Sequence, residues 1–252
     1  MTAGLTALVL AGSRGPSDPM ALAEGVRHKA LIPIAGRPMI ARVLDALRRT
    51  PAIARIAISI EDTQALAGLT DDCEILPAQS SPAASVLAAV EKLKSPLLLT
   101  TGDHPLLRPE WISYFLDRLP AADITAALAG SEKVLAAVPG AKRTFLRFSD
   151  GAYSGCNLFY LANSQAENAV RFWREMEAHR KQPLKLASRL GPLTALRYAT
   201  GTLPLGDALK RLSKLAGAKA GIVEMPDGFA AVDVDKPSDL ALVRKILESE
   251  EA

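Results

Sequence analysis

The chain has 252 residues, 49% of them apolar and 5% aromatic, with a formal net charge of +3. That is enough for one large α/β domain with a real core, and abundant Ala and Leu beside scarce aromatics favour helices packed on a sheet over an all-β fold. Lys and Arg are spread along the chain apart from a cluster at 171–189, which excludes the basic stripe of a nucleic-acid binder. No segment approaches the apolar length that spans a bilayer, and the first apolar run is too short for a secretory leader, so a cytoplasmic protein with no membrane insertion is expected. Cys73 and Cys156 show no metal spacing and read as two small apolar side chains in a reducing compartment.

In chain order, Thr6 to Ala11 is a continuous apolar strand of the kind covered by helices on both faces. Pro38 opens a helix whose Met39, Ile40, Val43, Leu44 and Leu47 form an apolar stripe. Ile53 to Ile60 is the next strand, after which Asp62 or Thr63 caps a short helix. Cys73 to Leu76 is a third strand, Pro82 to Leu93 a helix, and Pro96 to Thr100 another buried strand. Pro109 to Leu119 reads as helix and Asp123 to Leu128 as strand. Val134 to Val138 and Thr144 to Phe148 read as strands around a Gly140 turn, and Asp150-Gly151 turns the chain into a strand over Ser154 to Leu161. Residues 164–217 are mostly helical, Ala220 to Glu224 and Ala230 to Val234 are late strands, and Pro237 to Leu247 is a closing helix. Repeated βα units predict a three-layer α/β/α, Rossmann-like, mainly parallel sheet in one domain over 1–252. Ligands bind such sheets at the carboxyl ends of the strands, so residues 12–29, 77–82 and 101–105 are expected to converge.

Three stretches carry chemistry. Leu8-Val9-Leu10-Ala11-Gly12 is a strand that empties into a small, polar and basic loop with Ser13, Arg14, Arg27 and His28, followed by Lys29-Ala30-Leu31 and Gly36-Arg37-Pro38-Met39. Backbone N–H groups in such a loop can point at phosphate oxygens while Arg and Lys add charge. Thr101-Gly102-Asp103-His104-Pro105-Leu106 ends a buried strand on an acid placed either to hold a hard cation or to cap the following turn. Phe229 to Leu240 contains Asp233-Val234-Asp235-Lys236-Pro237-Ser238-Asp239; in a strand the first two acids share a face.

These blocks resemble the nucleotidyltransferase superfamily that includes the molybdenum-cofactor guanylyltransferases, the sugar-1-phosphate nucleotidylyltransferases and the methylerythritol-phosphate cytidylyltransferases. The resemblance covers most of the chain and is densest at 7–47, 78–107 and 228–243. It departs in the loop, where Arg14 comes earlier than the family's Gly-x-Arg and residues 16–26 separate it from Lys29. The resemblance implies a GT-A-like nucleotide-diphospho-sugar transferase fold and an enzyme that passes NMP from an NTP to a small phosphorylated acceptor, with Mg²⁺ and release of pyrophosphate. It implies a phosphate loop at Ala11, Gly12 and Ser13, charge from Lys29 and Arg14, and metal ligation by Asp103, beside Gly102, and by Asp235, with Asp233 as the other candidate. Base and ribose contacts fall on Gln79, Ser81 and Ser85, and the Ser85-Val86 pair points to CTP. Asn157 is expected at the acceptor, and Lys185 in the basic patch 180–185 at its phosphate. His104 and His28 have bland readings as turn or surface residues.

The helical stretch at 164–217 is longer than in minimal members and offers a lid or a dimer surface, which leaves a homodimer open. A molybdenum-cofactor-type guanylyltransferase and a catalytically degenerate nucleotide-binding regulator are the alternatives. A plain dinucleotide-binding enzyme is disfavoured, because no Gly-x-Gly-x-x-Gly follows the first strand.

Overall fold

The computed structural model describes residues 4–13, 17–140, 143–179 and 189–251. The strands are β1 (Leu5–Leu10), β2 (Pro33–Ile34), β3 (Arg37–Pro38), β4 (Ile53–Ile60), β5 (Glu74–Pro77), β6 (Leu97–Thr101), β7 (Ile124–Gly130), β8 (Leu146–Phe148), β9 (Gly151–Leu161) and β10 (Ala220–Glu224). The helices are α1 (Pro19–Ala23), α2 (Met39–Arg48), α3 (Pro82–Leu93), α4 (Pro109–Asp117), α5 (Ser131–Ala137), α6 (Ala166–Ala178), α7 (Pro192–Ala199), α8 (Leu205–Ala216) and α9 (Pro237–Glu251).

Leu8 of β1 points into one core, with Ala83, Val86 and Val90 of α3 and Val170 of α6. Ala7 and Val9 point into the other, with the expected α2 stripe, Ile112 and Phe115 of α4 and Val243 of α9. The strand is apolar throughout because it has two cores to fill. Strand order is β10-β7-β9-β6-β1-β4-β5, with β8 paired to β9, while β2 and β3 form a separate small ribbon. β5, β4, β1 and β6 run parallel to one another, as β10 does to β7. Only β9, among these central strands, runs antiparallel to both β6 and β7. The result is the expected three-layer α/β/α, Rossmann-like sheet, mixed through one reversed strand. β4 and β6 lie on opposite sides of β1, and such a divergence opens a crevice at the strand ends.

Several elements differ from the sequence reading. Residues 134–138 are not a strand but belong largely to α5: Val134 and Val138 are buried while Leu135 and Ala136 face solvent, a four-residue spacing rather than alternation. Of the strand read at 144–148 only β8 forms. Asp62 accepts from Gln64 N–H, but the chain after it makes turns rather than a helix. Residues 230–234 are not a strand. Gly228–Ala231 forms a 3₁₀ turn capped by Asp227, whose Oδ1 accepts from Phe229 N–H at 2.9 Å.

That turn packs hard on α5, and a β-carbon at Gly228 would overlap the Lys133 carbonyl and Val134 Cα. Backbone atoms cannot move aside as a flexible side chain can. Gly228→Ala is therefore expected to destabilise the fold by about 3 kcal/mol, as overpacking does, read as a lowered urea midpoint at unchanged slope. No helix among the described residues is long and apolar enough to cross a membrane. Cys73 and Cys156 are free thiols, with burial pushing the second up to about 12, so it is protonated at neutral pH.

Candidate active site

The carboxyl ends of β1, β4, β5 and β6 open into one cleft of about 740 Å³. Gly12, Ser13, Lys29, Gln79, Ser81, Ser85, Asp103, Asn157 and Asp235 all line it. Ala11 and Gly102 line a small adjoining recess behind Lys29 and Asp103. Thus the described sequence-predicted residues come together at the edge the topology marks. Arg14 and Lys185 lie outside the described residues.

Lys29 opens a 3₁₀ turn, Lys29–Leu31, anchored by buried Ala30 and followed by fully buried Ile32. Its stem is therefore held, and its Nζ donates to Asp103 Oδ2 at 2.8 Å and lies 3.9 Å from Asp235 Oδ1. Burial works against the ammonium charge, but Asp103 and then Asp235 outweigh it and raise the Lys29 pKa above its ordinary value. Asp103 lies in the turn just past β6, where Gly102 N–H donates to the Leu10 carbonyl at 2.8 Å. A β-carbon on Gly102 would press on Ala11, so the glycine lets the ends of β1 and β6 approach. Although its side chain is largely exposed, Asp235 is raised above its usual value by partial desolvation and by the neighbouring acids Asp233 and Asp103.

The strand end that precedes α3 is organised by two serines. Ser81 caps the helix, accepting from Ala84 N–H at 3.3 Å. Ser85 is buried, and its hydroxyl accepts from Gln79 N–H at 2.8 Å, which sets the loop over the cleft. Deeper in, Leu99, Phe159 and Trp173 of α6 line the cleft on the α3 and α6 side of the sheet.

Three residues of the site go beyond the sequence expectations: Glu61, His28 and Arg143. Glu61, directly after β4, accepts from Ser13 N–H with both oxygens at 3.1 Å and from Ser13 Oγ at 2.6 Å. An acid at the end of a buried strand is the signal that found Asp103, and it applies equally to Glu61. His28 is buried, not exposed: its Nδ1 accepts from Ala30 N–H at 3.0 Å, which puts the ring proton on Nε2, 3.2 Å from Glu61 Oε1. Burial opposes the Glu61 charge, but the Ser13 donors and His28 prevail and its pKa lies below the usual glutamate value. Arg143 donates to Asp233 Oδ1 at 2.5 Å, and Asn157 Nδ2 donates to Asp233 Oδ2 at 2.8 Å. Asp233 is thus engaged at both oxygens, whereas the Asp235 side chain is 71% exposed.

His104 neither lines the cleft nor behaves as a polar turn residue; it is 1% exposed and stacks on Trp111. Burial pushes its imidazole from 6.5 down to about 4, with Asp233 and Asp103 partly offsetting this. Between those values the unfolded chain takes up a proton that the folded chain refuses, so stability is full above pH 6.5 and falls as the pH falls toward 4. The loss amounts to roughly 3 kcal/mol. Urea unfolding at pH 7 and pH 5 is expected to show this slope in the wild type and to show it flattened in His104→Gln.

The family model of the MobA-like NTP transferase domain matches residues 7–215. The chain belongs to this family. It is accordingly an enzyme of the nucleotidyltransferase type. A solved hypothetical transferase from Thermus thermophilus is 31% identical, covers 94% of this chain and 100% of its own, and superposes with a TM-score of 0.83. A 4-diphosphocytidyl-2C-methyl-D-erythritol synthase from Anaerococcus prevotii shares 11% identity over 97% of this chain and 98% of its own, with a TM-score of 0.60. A CMP:2-keto-3-deoxy-manno-octonic acid synthetase complexed with CTP shares 14% over 99% and 100%, with a TM-score of 0.58. At such identities the last two likenesses show the fold alone. Curated protein sequences gave no match.

Proposed function

We propose that this MobA-like transferase moves a nucleoside monophosphate from an NTP, with CTP favoured, to a small sugar or alcohol phosphate and releases pyrophosphate. The observation that carries the reading is the Lys29, Asp103 and Asp235 cluster at the mouth of a cleft bounded by a β1 loop. Asp103 and Asp235 would hold Mg²⁺. The fit rests on Asp103, whose Oδ2 is taken by Lys29 while its buried Oδ1 has no hydrogen-bond partner. Groups of three or more ligating side chains are absent among the described residues. Two carboxylates suit Mg²⁺, which draws its remaining oxygens from water and substrate phosphates. When bound, the ion neutralises phosphate charge.

The protein's own part is positioning and charge. An ionised acceptor phosphate oxygen bonds to the α-phosphorus in line, and the bond from that phosphorus to the pyrophosphate oxygen breaks. The acceptor needs no general base and no covalent enzyme intermediate forms. Lys29 keeps its proton at neutral pH and faces the charge that builds on the phosphate oxygens. Arg14 adds to this charge in our reading, and the Ala11-Gly12-Ser13 backbone cradles the phosphates. Gln79, Ser81 and Ser85 serve base and ribose, with Ser85 acting through the Gln79 loop. Asn157 borders the acceptor, and Lys185 reaches its phosphate. We read the chain as one domain in which the helices between residues 164 and 217 are an insertion flanking the acceptor, a placement supported by Trp173 in the cleft wall.

The CTP preference is supported by the Ser85-Val86 pair at the opening of α3. The joint presence of Lys29, Asp103 and Asp235 argues against a binding-only regulator. Pyrophosphate release with Mg²⁺, each of the four NTPs and a panel of sugar and alcohol phosphates tests the reading. Release that needs CTP and one acceptor class supports it. Release with GTP alone points to the guanylyltransferase alternative, and nucleotide binding without turnover across the panel points to the regulator.

A further inference from the structure

Asp233 and Asp235 are neighbours in sequence but not in surroundings. Arg143 is inserted beside the first of them, with only 10% of its side chain exposed. Its guanidinium grips Asp233 twice, at the carboxylate (2.5 Å) and at the carbonyl (3.3 Å), and lies 4.0 Å from Asp239 Oδ1. The other Asp233 oxygen is held by Asn157, which has φ +47° on β9 near the point where pairing with β7 shifts register. A non-glycine residue seldom adopts that conformation, and here it turns the amide onto Asp233. Asp239 Oδ2 accepts from the N–H groups of Asp235 and Lys236, each at 3.2 Å, and Val234 N–H donates to the Asp103 carbonyl at 2.9 Å. The segment is thus pinned on three sides, and Asp235 alone of its two acids is exposed toward Lys29.

We infer that Arg143 is a positioning residue for nucleotidyl transfer: by anchoring Asp233 it makes Asp235 the acid presented beside Asp103. The inference rests on the transferase reading of Lys29, Asp103 and Asp235. The charge balance gives the reason. Asp103, Asp233, Asp235 and Asp239 face one another across this corner, with Lys29 and Arg143 as their cations. Without the guanidinium, the Asp233 carboxylate loses its strongest partner. It is then repelled by the other acids, and the segment that carries Asp235 loses its anchor.

The test uses the full chain with Arg143→Met, Arg143→Lys and the double variant Arg143→Met/Asp233→Asn. Three quantities are measured: Mn²⁺ affinity by electron paramagnetic resonance, melting temperature, and kcat with both KM values. Arg143→Met is expected to lower Mn²⁺ affinity and kcat by about 10- to 100-fold, the usual cost of losing a residue that orients a ligand, with KM for the NTP little changed. Arg143→Lys keeps the charge but not the two-point grip, and shifts both quantities in the same direction by less. The double variant removes the uncompensated carboxylate, so its melting temperature recovers while kcat stays low. A kcat that recovers together with the melting temperature overturns the inference, because Arg143 would then be merely structural. So does a raised acceptor KM at unchanged kcat, which would make it a substrate contact. Unchanged Mn²⁺ affinity in every variant overturns this inference alone, whereas a wild type that binds no Mn²⁺ overturns the transferase reading with it.

Discussion

Asp103→Asn is expected to lower pyrophosphate release by about 1,000-fold, at the upper end of what removing one charge-stabilising group costs. The substitution is nearly isosteric, so the loss comes from charge. Asp103 is the partner of Lys29 at 2.8 Å and, through its unpartnered buried Oδ1, the group best placed to take a cation. Neutralising it removes the main force that holds the Lys29 pKa up against burial, which leaves only the more distant Asp235 and Asp18. The Lys29 pKa therefore falls in the variant. In the wild type Lys29 is raised above 10.5, so its pairing contributes stability throughout the neutral range and loses it only as the pH rises through the folded value. In Asp103→Asn that contribution shrinks at every pH below this window. Steady-state rates and urea unfolding at pH 7 check the two halves of the expectation. A variant that is fully active but less stable would make Asp103 a structural cap.

Lys29→Met is expected to cost about 100- to 1,000-fold in kcat with a smaller change in KM for the NTP, because a fixed ammonium matters most where phosphate charge develops. The aliphatic replacement fills the space of the stem, and Ala30 and Ile32 still anchor the turn. What is lost is the cation that neutralises Asp103 and faces Asp235. Combining Lys29→Met with Asp103→Asn should then cost far less than the sum of the two, as expected for residues acting as a unit. Strict additivity, measured as kcat for the four proteins of the cycle, would separate the two residues' roles.

Most of the fold was readable because its signals are local. β1 is an apolar run that stops at Gly12, and α2 buries its stripe as its spacing predicts. The same holds for the part of the site that hangs from strand ends: loop residues 11–13, Ser81 to Ser85 and Asp103 follow strands in order, and the topology brings them to one edge. Short apolar runs were ambiguous. Val134 to Val138 has the residues of a strand, and only its burial at every fourth position shows a helix. Residues 230–234 look equally strand-like, and it is the tight approach of Gly228 to Lys133 that forces a turn there. Arg143 was invisible for another reason. It meets Asp233 across 90 residues of sequence, and nothing near either one announces the pair. Alternation alone put Asp233 and Asp235 on one strand face, and only the family resemblance favoured Asp235 over Asp233. Their difference comes from tertiary partners, Arg143 and Asn157 on one and Lys29 near the other.

The central claim, direct transfer of a nucleotidyl group at the Lys29, Asp103 and Asp235 cluster, is tested most directly by following the α-phosphorus. Radiolabelled α-³²P CTP, Mg²⁺ and the acceptor found by pyrophosphate release would be mixed with enzyme in excess, and the products separated. The account predicts label in an acceptor–nucleotide adduct, formed in step with unlabelled pyrophosphate, with none bound to protein and almost none in Asp103→Asn. Label trapped on the enzyme, label released as free CMP, or an undiminished adduct in Asp103→Asn would contradict it.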